Sequence, residues 1–189
     1  MRDKLLSNES TTDIDIALNF ATGVQFASHI QDYIVEHPLE GDEQLHYNTI
    51  SRNVEQSKHL ETATARFMGL NLDFVNLRSE EYAENSRIPE KMEFGTPKQD
   101  AERRDLTINS LFYNLHTGYV EDFTEKGVDD IKNGIIRTPL DPMKTFIDDP
   151  LRVLRAVRFA ARYDFRILPE VKTAMMADSV RVHLPFGFA

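Results

Sequence analysis

The sequence predicts an α+β fold built around one main domain. Residues 11–18, TTDIDIAL, alternate polar and apolar side chains with the period of two that is typical of a half-buried strand. Residues 23–37 follow with apolar side chains at helical spacing. A strand followed by an amphipathic helix indicates an α/β-type unit, and a chain of 189 residues can bury one substantial core. The residues expected on the inner side of this helix are Val24, Phe26, Ile30 and Ile34.

Further elements follow from local patterns in the first half of the chain. Residues 2–6 predict a short helix or turn. Residues 62–69 and 72–78 predict two strands that form a hairpin around residues 69–71. Residues 79–100 are polar and are interrupted by Pro and Gly, which predicts a loop.

The second half of the chain is richer in helical patterns. Residues 101–112 have helical spacing, and residues 113–123 predict a hairpin. Residues 127–134 predict a short helix that ends at Gly134, and residues 168–180 predict another helix.

The helix that begins near residue 149 has the strongest signals. Asp149 is placed to cap its N-terminus, and Pro150 suits the first helical position. Its spacing predicts an apolar inward stripe, with the arginines on the opposite, basic face. The stripe comprises Leu151, Leu154, Val157 and Ala161.

Composition and charge narrow the classes of protein. No apolar run approaches the roughly 18 residues of a membrane span, and the absence of cysteine excludes disulfides and thiolate zinc sites. The net charge of −9 argues against a broad electropositive surface for nucleic acid. Arginines concentrate in two places, residues 103–104 and residues 152–162, so a local basic cleft is compatible with the acidic balance.

Asp13 and Asp15 are the most informative residues. At alternate positions of a strand both carboxylates leave one face, while Ile14, Ile16 and Leu18 face the core. Paired carboxylates repel each other unless they bind cations, and Mg²⁺ prefers one or two carboxylates together with water and phosphate oxygens. Asp73, in an apolar strand, is a third candidate metal ligand. The alternative is a solvated acidic strand face.

The segment RRDLTIN places Asp105 and Asn109 one helical turn apart, directly after Arg103 and Arg104. Such a cluster can hold ribose hydroxyls and phosphate oxygens together. The alternative is that these mixed charges only stabilise the end of a surface helix.

Asp149 and Arg152 combine an acceptor with a donor fork three residues apart. This pair matches cytosine and adenine, which offer an amino donor beside a ring-nitrogen acceptor, and leaves uracil and guanine with mismatched polar groups. The alternative role for Asp149 is the helix cap alone.

Seven segments then occur in a familiar order: RDKLL, DIDIAL, LETATARF, LDFVNLRSEEY, RRDLTINSLFYN, EDFTEKGVDDIKNGIIRTPL and FIDDPLRVLRAVRFAAR. With these segments the chain resembles the eukaryotic tRNA nucleotidyltransferases, the class II CCA-adding enzymes of the polymerase beta superfamily. The likeness runs from residue 2 to about residue 175. It implies an α/β-type head with a mixed sheet over residues 1–146, followed by the start of an all-helical neck over residues 147–189.

The resemblance also implies roles for individual residues. Asp13 and Asp15 are similar to the catalytic metal carboxylates. The positions similar to nucleotide-binding residues are Arg2, Asp3, Arg104, Asp105, Asn109, Asp149, Arg152, Arg155 and Arg158. Among these, Asp149 and Arg152 match the family's protein template for CTP and ATP, and Arg155 and Arg158 would lie near the triphosphate or structural partners.

The activity implied by the resemblance is Mg²⁺-dependent transfer of CMP and AMP from CTP and ATP to the 3′ end of tRNA. A related poly(A)-adding polymerase and a non-catalytic nucleotide-binding remnant are the alternatives. Family members carry a Gly-Gly pair before the positions of Arg2 and Asp3, and a body and tail that grip tRNA. We therefore expect a fragment that keeps metal affinity and adds CCA poorly. The expected compartments are cytoplasm, nucleus or mitochondria, without secretion or membrane partners, and the oligomeric state is open.

Overall fold

The computed structural model describes residues 1–7, 11–38, 45–50, 62–82 and 89–182. The chain divides into two compact units. The first, the sheet unit, comprises residues 10–80 and 91–96. The second, the helix-rich unit, comprises residues 1–9, 81–90 and 97–189.

Both α helices and β strands are present, which confirms the α+β fold class. The described strands are β1 (Asp13–Leu18), β2 (His46–Ile50), β3 (Thr62–Phe67), β4 (Leu70–Asn76), β5 (Arg78–Tyr82), β6 (Pro89–Phe94), β7 (Phe112–Asn114), β8 (Tyr119–Glu121), β9 (Ile135–Ile136) and β10 (Arg166–Ile167). The described α helices are α1 (Arg2–Ser7), α2 (Gly23–Glu36), α3 (Pro97–Glu102), α4 (Gly127–Asn133), α5 (Pro142–Asp148), α6 (Leu151–Tyr163), α7 (Pro169–Met176) and α8 (Asp178–Arg181).

A four-stranded mixed sheet, in the order β1-β4-β3-β2, forms the sheet unit. β1 and β4 are parallel, whereas the β4–β3 and β3–β2 pairs are antiparallel. Helix α2 packs on β3 and β4, and its N-terminus is closed by a capping box between Thr22 and Gln25. The predicted inner side of α2 is confirmed, because all four predicted residues pack against the core around Phe74.

Strand β1 confirms the predicted alternation only in part. Leu18 is buried and Ile16 packs against the core, but Ile14 is 38% exposed. The expectation that Ile14 fills the core is therefore wrong within the described residues. Among the described strands β1 is at the edge of the sheet, while α2 packs on the central strands β3 and β4.

The helix-rich unit has its own hydrophobic core. Helix α5 packs against α6 and α7, and Ile136, Phe146 and Val171 are fully buried among them. Helix α4 ends at Gly134, whose φ of 63° lies in the left-handed region that favours glycine, so this predicted stop is confirmed. The predicted hairpin over residues 113–123 is also confirmed, as β7 and β8.

Helix α6 exists as predicted, but its buried face is different. Leu154 is 38% exposed and Val157 is 49% exposed, whereas the buried residues are Arg152, Val153, Ala156 and Phe159. The predicted inward stripe is therefore wrong, and Arg152 does not lie on the exposed basic face. Two apolar stripes share this helix at similar spacing, and the one that carries the large Phe159 ring is the one buried in the core.

The predicted loop over residues 79–100 is wrong at both ends, and its middle, residues 83–88, lies outside the described residues. β5 and β6 form a two-stranded sheet, and α3 follows. The side chains of these strands are largely polar, so they lack the apolar alternation of a half-buried strand. At Gly95 two backbones approach each other closely, because a Cβ there would lie 2.5 Å from the carbonyl carbon of Arg78.

Three other differences have local causes. The helix predicted over residues 101–112 is absent, because α3 ends at Glu102 and only a 3-10 turn (Thr107–Asn109) follows before β7. At this turn Asp105 accepts from the Leu106 N–H and Ser110 donates to the Leu106 backbone carbonyl, which satisfies the backbone locally. Residues 168–180 form two short helices, α7 and α8, with Ala177 in an extended conformation between them. The hairpin between β3 and β4 turns at residues 68–69, one residue earlier than predicted.

Candidate functional site

Three carboxylates project from one face of the sheet unit. Asp13 and Asp15 alternate along β1, as the sequence predicts, and all three carboxylates are exposed. Asp15 is the Cα partner of Asp73 on the parallel strand β4, and Asp13 is the partner of Asn71. Partners in register leave the sheet on the same side, so Asp73 joins the pair on this face.

The negative charges of Asp13, Asp15 and Asp73 repel one another on this face. Partial burial, and then the negative charges of Asp15 and Asp13, raise the pKa of Asp73 above its ordinary value. The Asn71 amide donates a hydrogen bond of 2.7 Å to Asp13 Oδ1. In the part of the chain that the structure describes, no cationic side chain forms an ion pair with Asp15 or Asp73.

These groups fit a hard divalent cation. Carboxylate oxygens are the ligands that Mg²⁺ prefers, and a cation would relieve the repulsion that raises the Asp73 pKa. Among the described residues, no three His, Cys, Asp or Glu side chains converge closely enough to hold an ion together. The face therefore supplies a partial ligand set, as expected for Mg²⁺, which keeps waters and substrate phosphates in its shell.

In the helix-rich unit, Asp105 is the centre of a second cluster. This buried carboxylate accepts hydrogen bonds from the Leu106 N–H at 2.8 Å and from Asn109 Nδ2 at 2.9 Å. Its other oxygen accepts from Arg155 Nε at 2.6 Å. The predicted association of Asp105 with Asn109 is present, although a 3-10 turn rather than an α helix brings the two together.

Arg104 is held in place by a residue that sequence reasoning missed. Asp100 on α3 is buried and accepts from Arg103 Nη2 at 2.6 Å and from Arg104 Nη2 at 2.8 Å. Burial alone would raise the Asp100 pKa, but the two guanidinium groups lower it below its ordinary value. Arg104 also donates through Nη1 to the backbone carbonyl oxygen of Asn109 at 3.0 Å. The spacings of three and four residues from Asp100 were the available signal.

Arg2 and Asp3 on α1 join the same cluster. Arg2 donates through Nη1 to Asn109 Oδ1 and forms a salt bridge of 2.9 Å with Asp3. The Tyr163 hydroxyl donates to Asp3 Oδ1. Although burial alone would raise it, the hydrogen bonds from Tyr163 and Arg2 lower the pKa of Asp3. Burial and the bond to Asp3 raise the pKa of Tyr163, so its hydroxyl remains a donor.

Asp149 and Arg152 lie next to each other at the start of α6. Arg152 Nε is 3.9 Å from Asp149 Oδ2, and Asp149 Oδ1 accepts from the Leu151 N–H at 3.1 Å. Pro150, rather than Asp149, is the N-cap residue of α6, and Asp149 is the C-cap residue of the preceding helix α5. The carboxylate nevertheless satisfies a free N–H of α6 with one oxygen and leaves the other beside Arg152.

The two remaining arginines have different surroundings. Arg155 is the ion-pair partner of Asp105, with its Nε 2.6 Å from Asp105 Oδ2. Arg158 is exposed, with its guanidinium carbon 4.9 Å from the centroid of the Phe159 ring. The helix-rich unit thus joins six candidate residues in one network: Arg2, Asp3, Arg104, Asp105, Asn109 and Arg155.

Residues 1–137 match the model of the poly A polymerase head domain. The chain belongs to the poly A polymerase head domain family. Both carboxylate strands, β1 and β4, and the whole Asp105–Asn109 turn lie inside the matched residues of this head domain. Helix α6, with Asp149 and Arg152 at its start, follows the matched residues.

The relatives of this chain include both CCA tRNA nucleotidyltransferases and poly(A) polymerases. The mitochondrial CCA tRNA nucleotidyltransferase of Saccharomyces cerevisiae is 52% identical over 183 residues, which is 96% of this chain and 33% of that protein. Poly(A) polymerase I of Escherichia coli is 48% identical over 77 residues, 41% of this chain and 16% of that protein. The chain therefore spans about a third of the length of its first curated relative.

A solved structure agrees with the fold of this head-domain chain. The complex of a CCA-adding enzyme with ATP is 30% identical, with a TM-score of 0.65, and the match covers 92% of this chain and 35% of that one. This likeness confirms the predicted mixed-sheet head. No helix in the described ranges is both long and apolar enough to cross a membrane.

Proposed function

We propose that this chain is the nucleotidyl-transfer head of a CCA-adding enzyme, which transfers CMP and AMP from CTP and ATP to the 3′ end of tRNA. The observation that carries the proposal is the carboxylate face, on which Asp13, Asp15 and Asp73 repel one another without a cationic partner among the described residues. The relation to the mitochondrial enzyme of Saccharomyces cerevisiae supports the same activity, and it favours mitochondria among the expected compartments.

Asp13 and Asp15 are the proposed ligands of Mg²⁺, and Asp73 is a third group on the same face. When bound, the ions neutralise charge on the attacking 3′ oxygen and on the pyrophosphate that leaves. The exposed carboxylates of this chain would hold the cations on one face of the sheet. Because the residues are exposed, nucleotide phosphates and water can complete the ligand set.

The helix-rich unit supplies the proposed nucleotide contacts. Asp105 and Asn109 bind the ribose hydroxyls, since both are fixed by hydrogen bonds at the same turn. Arg158 is exposed and suited to phosphate oxygens. Arg104 shares its guanidinium with Asp100, so it has a positioning role beside any contact with the nucleotide.

Base choice is proposed to depend on Asp149 and Arg152. The Asp149 oxygen beside Arg152 accepts from an exocyclic amino group, and Arg152 donates to the neighbouring ring nitrogen. Cytosine and adenine satisfy both groups, whereas uracil and guanine leave a buried donor and acceptor mismatched.

We further propose the domain limits given by the resemblance, a head over residues 1–146 and the start of a helical neck over residues 147–189.

Equilibrium binding of labelled nucleotides tests this function. The chain is expected to bind CTP and ATP more tightly than UTP and GTP, with a strong requirement for Mg²⁺. Asp15→Asn should weaken the Mg²⁺-dependent part by at least roughly 10-fold. The matched control is Asp32→Asn, the same change at an exposed position on α2, which should leave binding unchanged. Binding that is independent of Mg²⁺ and of Asp15 would overturn the proposal.

A poly(A)-adding polymerase is the second candidate, favoured by the partial match to the Escherichia coli enzyme. CTP separates the two, because a strict poly(A) enzyme has no use for it. ATP binding without CTP binding would establish this second candidate. The absence of binding by either nucleotide would instead indicate a non-catalytic remnant.

A further inference from the structure

A continuous series of polar contacts begins and ends on helix α6. Tyr163, near the C-terminus of α6, donates to Asp3, and Asp3 pairs with Arg2. Arg2 then donates to the side chain of Asn109, which donates in turn to Asp105 at 2.9 Å. The series closes where Arg155, two turns before Tyr163 on α6, donates to Asp105.

Donor and acceptor chemistry fixes the direction of each contact. A guanidinium can only donate and a carboxylate can only accept. The side-chain oxygen of Asn109, Oδ1, must therefore face Arg2, and its side-chain NH₂ group must face Asp105. Asp105 and Arg2 favour the same orientation of the amide, because one accepts from its NH₂ group and the other donates to its oxygen. Loss of Arg2 removes one of these two restraints, so the amide is held less firmly in the orientation that faces Asp105.

Arg2 is held from two sides. Its guanidinium carbon lies 4.4 Å from the Phe159 ring centroid and 5.2 Å from that of Tyr163, so the two rings limit its movement. The remaining restraint is Asp3, which is partly exposed and would otherwise exchange Arg2 for water. The Tyr163 hydroxyl anchors Asp3 to α6 and thus prevents this exchange.

We propose that Tyr163 is a positioning residue that sets the orientation of the Asn109 amide through Asp3 and Arg2, and so supports selection of ribose over deoxyribose nucleotides. The proposal rests on the proposed function for its ligand, a ribonucleoside triphosphate. The orienting contacts themselves are properties of the helix-rich unit alone. Tyr163 does not need to touch the nucleotide to have this effect.

Tyr163→Phe tests the proposal because it removes only the hydroxyl and keeps the ring beside Arg2. The measured quantity is the ratio of the Kd for dCTP to the Kd for CTP in Mg²⁺. We expect Tyr163→Phe to lower this ratio roughly 3- to 10-fold, as for the loss of one hydrogen bond to a charged group. Tyr113→Phe, the same change at a tyrosine that is 50% exposed on β7, is the matched control and should leave the ratio unchanged.

A double-mutant cycle separates positioning from a general loss of stability. If Tyr163 acts through Arg2, the variant Tyr163→Phe/Arg2→Ala should have the same ratio as Arg2→Ala. Additive effects of the two changes on this ratio would overturn the proposal. A melting temperature measured for each variant identifies any loss of fold, which would change both Kd values without changing their ratio.

A second readout needs no nucleotide. The side-chain NH₂ resonances of Asn109, assigned with Asn109→Ala, should shift in Tyr163→Phe and stay in place in Tyr113→Phe. Unchanged resonances in Tyr163→Phe would overturn the orienting role. If the parent chain binds neither CTP nor ATP, the proposed function fails, and with it the ribose selection. If the parent chain binds CTP more tightly than dCTP and Tyr163→Phe keeps the same ratio of the two Kd values, only the role of Tyr163 fails.

Discussion

Asp15 on β1 and Asp73 on β4 are directly paired in a parallel register, so two carboxylates from neighbouring strands leave one face of the sheet. Asp13 adds a third negative charge two residues away on β1. A protein gains no stability from such an arrangement without cations, because like charges at this spacing repel each other. The arrangement is instead expected where a cation is bound for function.

The first prediction concerns the cost of this repulsion. Asp73→Asn removes one of the three charges, so the metal-free chain should melt at a slightly higher temperature at pH 7, and its stabilisation by added Mg²⁺ should decrease. Thermal unfolding with EDTA and with Mg²⁺ measures both effects. A lower melting temperature in EDTA would show that Asp73 has a stabilising partner and would contradict this account.

The second prediction concerns Asp100, the buried partner of Arg103 and Arg104. Asp100→Asn should lower the free energy of unfolding by about 3 kcal/mol at pH 7, because two guanidinium groups lose their counterion. Asp129→Asn, an exposed change on α4, should cost less than about 0.5 kcal/mol. Urea unfolding at pH 7 checks both values.

The same carboxylate predicts a pH dependence. The folded-state pKa of Asp100 lies below its ordinary value of 3.8, so its contribution is complete above that pH and is lost as the pH falls through the folded pKa. Urea unfolding between pH 2.5 and 7 should therefore show a smaller acid loss in Asp100→Asn than in the parent chain. Parallel profiles for the two proteins would contradict the assignment.

The third prediction concerns Gly127 at the start of α4. A Cβ there would lie 2.6 Å from the Thr107 carbonyl oxygen and 3.0 Å from Leu111 Cδ2. Gly127→Ala should therefore destabilise the helix-rich unit by about 1 to 3 kcal/mol, as for other overpacked sites. Lys132→Ala, exposed on the same helix, should change stability by less than about 0.5 kcal/mol in chemical denaturation. Equal effects would show that α4 can shift away from the turn.

The fourth prediction concerns base choice. Asp149→Ala removes the proposed acceptor and should reduce the preference for CTP over UTP by roughly 10-fold or more, as for a buried donor left without a partner. Competition binding with labelled CTP measures the ratio. Because Asp149 also accepts from the Leu151 N–H, the melting temperature should fall modestly as well. A preserved preference would exclude Asp149 from base recognition.

Much of the fold was accessible from local patterns. The alternation of DIDIAL predicted β1, and Gly134 predicted the end of α4, because each depends on neighbouring residues alone. The buried face of α6 was not accessible, since two apolar stripes on one helix can be ranked only by what packs against them. Helix α5 had a usable signal in Asp141, which caps it and precedes Pro142 at its first turn.

The candidate site shows the same division. The sequence identified Asp105, Asn109 and Arg155 but not that one carboxylate receives both side chains, because Arg155 is 50 residues away in the chain. The sequence indicates Asp73 only through its charge in an apolar strand. Its position beside Asp15 follows from the register of β1 and β4, which depends on the tertiary fold. Tyr163 had no sequence signal, since its hydroxyl acts on a residue 160 positions earlier.

Cation binding at Asp13 and Asp15 is the central claim, and Mn²⁺ is a direct probe because it shares the oxygen ligands of Mg²⁺. Electron paramagnetic resonance of Mn²⁺ with the chain and CTP should show immobilised ion that Mg²⁺ displaces. The double variant Asp13→Asn/Asp15→Asn should bind Mn²⁺ at least roughly 10-fold more weakly, and Asp32→Asn should bind like the parent. Equal Mn²⁺ binding by the parent and the double variant would contradict the claim.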